Sequence, residues 1–361
     1  MAKKSVHIVG TGTIGEPLIG LFCDFKEELG IDEVTFHKRS PITYDRSKVQ
    51  DLINRGAKLV VDNDRWADFK SIGLTPHTTT EEAIYNSTVV IDCTPSGVGH
   101  ENKKKIYSKY DRDNSRVKYH KGFIAQGSEK GFGTPYAYGI NDDVLDDEKF
   151  IQVVSCNTHN ISVLLQAACG GSFSEIYDGK FLCMRRSSDV SNHSGNSSFI
   201  PAPSPGAHDD KRFGTHHARD AHDLYKTMGH DLVLYSSAIK LNTQYMHTTW
   251  FNIKMMTDIS LDEVMERFEE NKRVALTEKR MSSEVFSFGR DHGHFGRILN
   301  PAVVAKYSVE VLNSNQIVGF AYTPQDGNSL LSSVGATMRY MYPEDYEERM
   351  KCLDKFLYDE V

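Results

Sequence analysis

Ser5-Val6-His7-Ile8-Val9-Gly10-Thr11-Gly12-Thr13-Ile14-Gly15 runs from a short apolar strand into a turn punctuated by three glycines. Apolar residues at Leu18, Ile19, Leu21, Phe22 and Phe25 then recur with helical spacing. Strand, Gly-x-Gly-x-x-Gly and helix in that order are the context a dinucleotide fingerprint requires. Gly10 permits the tight turn, Gly12 lets a pyrophosphate approach the backbone, and Gly15 allows close helix–strand packing. The pyrophosphate is expected on the amides that open the helix.

Outward from this unit the pattern repeats. Strands are expected at Glu33 to Phe36, Lys58 to Val61, Thr88 to Cys93 and Lys121 to Ala125, with a helix around Lys48 to Arg55. The continuous apolar run Thr88-Val89-Val90-Ile91-Asp92-Cys93 suits a parallel strand buried on both faces. Alternating strands and helices imply a parallel, doubly wound sheet. The second strand ends in Phe36-His37-Lys38-Arg39-Ser40-Pro41, with two cations where an NAD site carries a carboxylate. Lys38 or Arg39 could take a 2′-phosphate, which favours NADP while leaving NAD possible. Thr94-Pro95-Ser96-Gly97 and Gln126-Gly127 are further strand-end loops expected to border the cofactor.

A second junction stands at Phe150-Ile151-Gln152-Val153-Val154-Ser155-Cys156-Asn157-Thr158, where a strand ends at a thiol and a helix is expected from Ile161 to Ala168. Sites in α/β folds collect at the carboxyl ends of strands, and a helix N-terminus favours thiolate. Taken alone, this pattern fits a buried core cysteine more often than a nucleophile. Beyond it the texture becomes α+β. Strands are expected at Phe181 to Arg186, Asp231 to Leu241, Gln244 to Met255, Val303 to Val311 and Ile317 to Tyr322. A helix at Leu261 to Asn271 is capped by Ser260 with Glu263 at the capping-box position. A long irregular connection is expected over Ser191 to Gly214.

The chain has 361 residues, so two domains are expected. The net charge of -7 argues against non-specific nucleic-acid or membrane-surface binding. The six cysteines are scattered without a Cys-x-x-Cys pair, a pattern of reduced thiols and not of a zinc site or disulfide framework. No metal is expected, and the absence of a membrane-length apolar run and of a signal-peptide core points to the cytoplasm.

Several blocks in order resemble the archaeal-type glyceraldehyde-3-phosphate dehydrogenases. They are Gly10-Thr11-Gly12-Thr13-Ile14-Gly15, Lys38-Arg39 with Pro41, Gln126-Gly127-x-Glu129-Lys130, Val153-Val154-Ser155-Cys156-Asn157-Thr158, Arg185-Arg186-x-x-Asp189, Pro201-x-Pro203, His216-His217, Met246-His247 and Gly289-Arg290-Asp291-x-Gly293. The resemblance implies a Rossmann domain over residues 1–155, and a catalytic domain with a mainly antiparallel sheet over 156–322. It also implies a segment, 323–361, that returns to the first domain and brings Gln325 and Asn328 toward the nicotinamide. It makes Cys156 the nucleophile and His247 the general base of a phosphorylating aldehyde oxidation through a hemithioacetal and a thioester. Arg185, Arg186, His216, His217 and Thr158, beside Ser155 and Asn157, would handle the substrate phosphate and inorganic phosphate. A homotetramer serving glycolysis or sugar synthesis is implied too.

The family continues its cysteine motif with Thr-Gly-Leu-Cys-Arg, whereas this chain has His159-Asn160-Ile161-Ser162-Val163. That departure leaves another phosphorylated aldehyde, a semialdehyde or an acyl phosphate as an alternative substrate, possible without phosphorylation. A non-catalytic nucleotide sensor is the third reading.

Overall fold

The computed structural model describes residues 3–110, 122–187, 200–324 and 326–361. Lys121, Asp189, Gln325 and residues 191–199 of the connection expected from Ser191 lie outside them. The strands in chain order are β1 (Ser5–Val9), β2 (Glu33–His37), β3 (Lys58–Val61), β4 (Thr78–Thr79), β5 (Val89–Asp92), β6 (Gly122–Ala125), β7 (Thr134–Tyr136) and β8 (Phe150–Val153). They continue with β9 (Ile176–Arg185), β10 (Ser204–Pro205), β11 (Leu234–Lys240), β12 (His247–Met255), β13 (Val274–Thr277), β14 (Ala302–Ala305), β15 (Glu310–Leu312) and β16 (Gln316–Thr323).

By internal contacts the chain divides into two compact units. One comprises Met1–Thr134, Asp143–Val153 and Ser332–Cys352; the other comprises Pro135–Asp142, Val154–Leu331 and Leu353–Val361. The first carries the sheet ordered β4-β3-β2-β1-β5-β6-β8-β7. Every pairing from β4 through β8 is parallel. The reason is visible in composition. β1, β5 and β6 are buried along their whole length, which requires cover on both faces, and crossover helices supply it.

The second unit is built on the sheet β10-β11-β9-β12-β16-β14-β13, with β15 beside β16. β12 alternates buried and half-buried residues throughout, as a strand with one covered face must. The sheet is mixed. Most pairs are antiparallel, but β9 runs parallel to β11 and β13 parallel to β14. The helix Cys156–Ala168 is buried on nearly all sides. Ile161, Leu164 and Leu165 share its core with Phe181, Phe251 and Phe268.

Local differences from the sequence expectation have simple causes. The helix expected from Ile161 begins five residues earlier, because Ser155 caps it. The run Val303 to Val311 is broken by a 3-10 turn at Lys306–Ser308, where Ser308 Oγ caps Ala305 O and receives the Phe320 amide. His216-His217 open the helix His216–Lys226, whose inner face is Ala218, Ala221, Leu224 and Tyr225. The expected Ser260 cap is present, accepting from Glu263 N at 3.2 Å, but the Glu263 carboxylate turns to Arg267.

Candidate active site

Two strand-to-helix junctions hold the candidate residues. At the first, Gly10 has φ +100°, a region open to glycine, and a Cβ there would meet Cys93 O at 2.9 Å. A Cβ on Gly15 would lie 2.1 Å from Gly10 O, so the helix packs directly on the turn. Around Gly12 nothing stands within 4 Å of a Cβ, and Gly12 is exposed. The helix Gly15–Asp24 starts at Ile14 without a side-chain cap. Its first amides and the open space over Gly12, with Thr11 and Thr13 beside it, fit a dinucleotide pyrophosphate.

The cations at the end of β2 have different fates. Lys38 is half-buried and bound to Asp45 at 2.5 Å, with Lys48 3.3 Å from the same carboxylate. Burial opposes the charge on Asp45, but Lys38 and Lys48 outweigh it and hold its pKa below the usual range. Lys38 is thus neutralised inside the fold. Arg39 is exposed on the same turn, with its charge felt by Asp62.

At the second junction Ser155 Oγ accepts from Thr158 N at 3.4 Å and lies 2.9 Å from Thr158 Oγ1. Both hydroxyls serve the helix start, and Thr158 is fully buried. Asn157 is buried, and its Oδ1 has no partner among the described residues. Cys156, half-buried, is the first residue of the helix. Burial pushes its thiol up to about 11; Asp326 adds to that, while Arg186, Arg185 and the Asn157 amide pull against it. The helix N-terminus expected to favour thiolate is therefore outweighed. His159 Nδ1 lies 3.1 Å from Ser155 O, so this nitrogen carries the proton. Burial brings the ring down to about 4 against the Ser155 carbonyl, with Arg273 adding to the fall.

Arg185 and Arg186 bear on Cys156, and His217 and His247 bear in turn on Arg185. β9 ends at Arg185, with the buried Arg186 following. β12 begins at His247, whose Nδ1 accepts the Arg186 backbone N–H at 2.9 Å. A neutral imidazole accepting at Nδ1 holds its proton on Nε2. In this position the ring has a donor at Nε2 and no acceptor to spare; acting as a base would require it to give up the Arg186 amide. Burial, Arg186 and Arg185 bring His247 down to about 3, so it is neutral. Among the described residues, both ring nitrogens of the buried His217 and the buried Arg185 Nε have no partner. Burial, His216, Arg185 and His247 hold His217 well below the ordinary histidine range. Unsatisfied buried donors are expensive to maintain, and a bound anion would satisfy them. His216, beside His217, is exposed.

One group near the thiol escaped the sequence reading. Asp326 is buried at φ +72°, a strained position for a residue with a side chain, and lies 3.7 Å from Arg297. Asn328 Nδ2 donates to Cys156 O at 3.2 Å, so this segment holds the cysteine backbone. The Asp326-Gly327 pair after a strand was the available turn signal.

The chain is similar to archaeal glyceraldehyde-3-phosphate dehydrogenases. It is 26% identical over 296 residues to that of Pyrobaculum islandicum, covering 80% of this chain and 78% of the relative. It is 24% identical over 360 residues to that of Pyrobaculum calidifontis, 96% of both chains. To that of Sulfolobus acidocaldarius it is 27% identical over 328 residues, 88% of this chain and 86% of the other. No family model matches the chain.

Proposed function

We propose that this chain, similar over most of its length to archaeal glyceraldehyde-3-phosphate dehydrogenases, oxidises glyceraldehyde 3-phosphate to 1,3-bisphosphoglycerate with a nicotinamide dinucleotide and inorganic phosphate. The observation that carries the reading is that Arg185 and Arg186 bear on the Cys156 thiol while His217 and His247 bear on Arg185, with the His217 ring and Arg185 Nε buried and unpartnered among the described residues.

The first unit is the dinucleotide-binding domain and the second the catalytic one. Gly10 to Gly15 cradle the pyrophosphate, with Thr94, Pro95, Gln126 and Gly127 along the rest of the cofactor. Arg39 rather than Lys38 takes the 2′-phosphate of NADP, because Asp45 already holds Lys38. The dinucleotide, when bound, supplies the hydride acceptor.

Cys156 attacks the aldehyde carbon as thiolate and gives a hemithioacetal. His247 donates from Nε2 to the oxygen as negative charge develops there. The oxyanion takes up a proton from solvent to become the hemithioacetal hydroxyl. The ring then releases the Arg186 amide, carries its proton on Nδ1 instead, and takes the hydroxyl proton on Nε2 as hydride departs, leaving a thioester on Cys156. Arg185, Arg186 and His217, with the exposed His216 at the rim, hold the phosphate groups. Thr158 supports the site through Ser155. Inorganic phosphate attacks the thioester carbonyl, the carbon–sulfur bond breaks, and the acyl phosphate leaves with the thiolate restored. Such an enzyme serves glycolysis or sugar synthesis in the cytoplasm, as a homotetramer. No helix among the described residues is long and apolar enough to cross a membrane.

The test is reduced-nicotinamide formation by purified protein with glyceraldehyde 3-phosphate, NADP or NAD, with and without phosphate. Phosphate-dependent turnover favouring NADP is expected. Turnover indifferent to phosphate would mean thioester hydrolysis. Dinucleotide binding without turnover would leave another phosphorylated aldehyde or a sensor.

A further inference from the structure

We propose that Glu129 is the positioning residue of the dinucleotide site: it clamps the loop after β5 to the loop after β6, so that Thr94, Pro95, Gln126 and Gly127 border one cofactor track. The inference rests on the reading that the first unit binds a nicotinamide dinucleotide.

Glu129 is 1% exposed, a rare state for a carboxylate. Its burial is explained by what it receives. Oε1 accepts Gly97 N at 2.5 Å and Oε2 accepts His100 N at 2.9 Å. Those amides open the helix Val98–Lys105, where unpaired N–H groups and the helix dipole both favour a negative charge. The approach is tight, since a Cβ on Gly99 would meet Glu129 Cγ and Cδ at 3.0 Å. A lighter tie runs beside it, Ser96 Oγ to Ser128 O at 3.2 Å.

The other ends of both loops are fixed as well. Glu129 N donates to Gln126 O at 2.9 Å, so the clamp and Gln126 belong to one turn. Gln126 Nε2 reaches Ser333 Oγ at 3.0 Å, and Gln152 Nε2 reaches Gly127 O at 3.2 Å. The buried Asp92 receives Thr94 N at 3.0 Å and, through its other oxygen, Asn102 and the Tyr107 hydroxyl. Glu129 joins the two sets through both of its carboxylate oxygens, whereas Ser96 and His100, whose Nε2 lies 3.0 Å from Lys130 O, each add a single tie to a backbone carbonyl. Two N–H groups aimed at one side chain call for two acceptor atoms. Glutamine offers one acceptor and turns an NH2 on the second amide.

The clamp also decides where anions go. With a carboxylate on the helix Val98–Lys105, that N-terminus is taken, and the uncapped start of the helix Gly15–Asp24 is left for the pyrophosphate.

The experiment is direct NADPH and NADH binding by fluorescence to wild type, Glu129→Gln and Glu129→Ala. Melting temperature and the iodoacetamide rate at Cys156 are measured on the same samples. Kd is expected to rise about tenfold to a hundredfold in Glu129→Ala, the equivalent of one lost charge-assisted hydrogen bond, and less in Glu129→Gln. The alkylation rate should stay at the wild-type value. Folded Glu129→Gln binding both nucleotides like wild type, whether or not its melting temperature falls, would overturn the proposal. Should Glu129→Ala not fold, Glu129→Gln decides alone. Wild type that binds neither nucleotide would overturn the dinucleotide reading itself, and this inference with it.

Discussion

The turn after β1 and the turn after β8 are both strand ends that open a helix, yet they are built in opposite ways. The first is made of glycine, lacks a side-chain cap and leaves open space over Gly12. The second is capped by Ser155, with Asn157 and Thr158 buried beneath it. One opens its helix without a side-chain cap; the other spends an amide on Ser155 and places a thiol at its first residue. On the proposed function, the same backbone geometry serves recognition or covalent chemistry according to whether a hydroxyl or a void precedes the first turn.

The sharpest way to break the comparison is Cys156→Ser. Aldehyde oxidation should disappear, while melting temperature and NADPH affinity stay near wild type, because a half-buried thiol contributes little core area. Retained activity, or an unfolded variant, would make Cys156 a packing residue. Next is His247→Gln, which keeps a donor and removes the base. Loss of about 10²–10⁴ in kcat is expected. A loss below tenfold in steady-state assays would mean that donation from Nε2 is the whole contribution.

On the glycine side, Arg39→Ser should reduce the NADP-over-NAD ratio of kcat/KM by about tenfold, the effect of one lost charged contact. Lys38→Ser should instead lower stability, since it leaves Asp45 half-compensated. The reverse pattern would hand the 2′-phosphate to Lys38.

Smaller effects follow from titration. With the Cys156 thiol near 11, its alkylation rate should climb about tenfold per pH unit from pH 7 to 10, and Asp326→Asn should move that curve to lower pH. A plateau near pH 8 would refute the assignment. His159 folds neutral with its pKa lowered to about 4, so the unfolded chain binds the extra proton as pH falls below 6.5. Stability present above that pH is lost toward pH 4, by at most about 3 kcal/mol for this one group. Urea unfolding of wild type and His159→Gln at pH 7 and 4.5 should show a smaller pH difference in the variant.

The parallel sheet was readable from the sequence because strands alternate with helices, Val89–Ile91 and Phe123–Ala125 are continuous apolar runs, and the glycine spacing is diagnostic at short range. The cysteine junction was readable as a place. Its electrostatics were not, because Asp326 approaches from 170 positions away in the chain, and burial, which no local motif records, outweighs the helix terminus. Lys38 and Arg39 looked interchangeable for a related reason: Asp45, seven residues on, is the partner that separates them. The mixed pairing of the second sheet escaped because alternation reports which face is covered and not the direction of a neighbour. The helix at His216 was hidden behind a polar, proline-rich approach, although Ala218, Ala221, Leu224 and Tyr225 carry its period.

The bond from Arg186 N to His247 Nδ1 is made by the main chain, so replacing the Arg186 side chain leaves it in place. A scan of ordinary substitutions at 186 would report on the guanidinium alone, and the imidazole's proton would sit on Nε2 in nearly every variant. Proline, which lacks the N–H, is the one genetically encoded residue that frees the ring. The tautomer of this site is in that sense a property of the backbone, inherited with the fold and largely beyond the reach of point mutation.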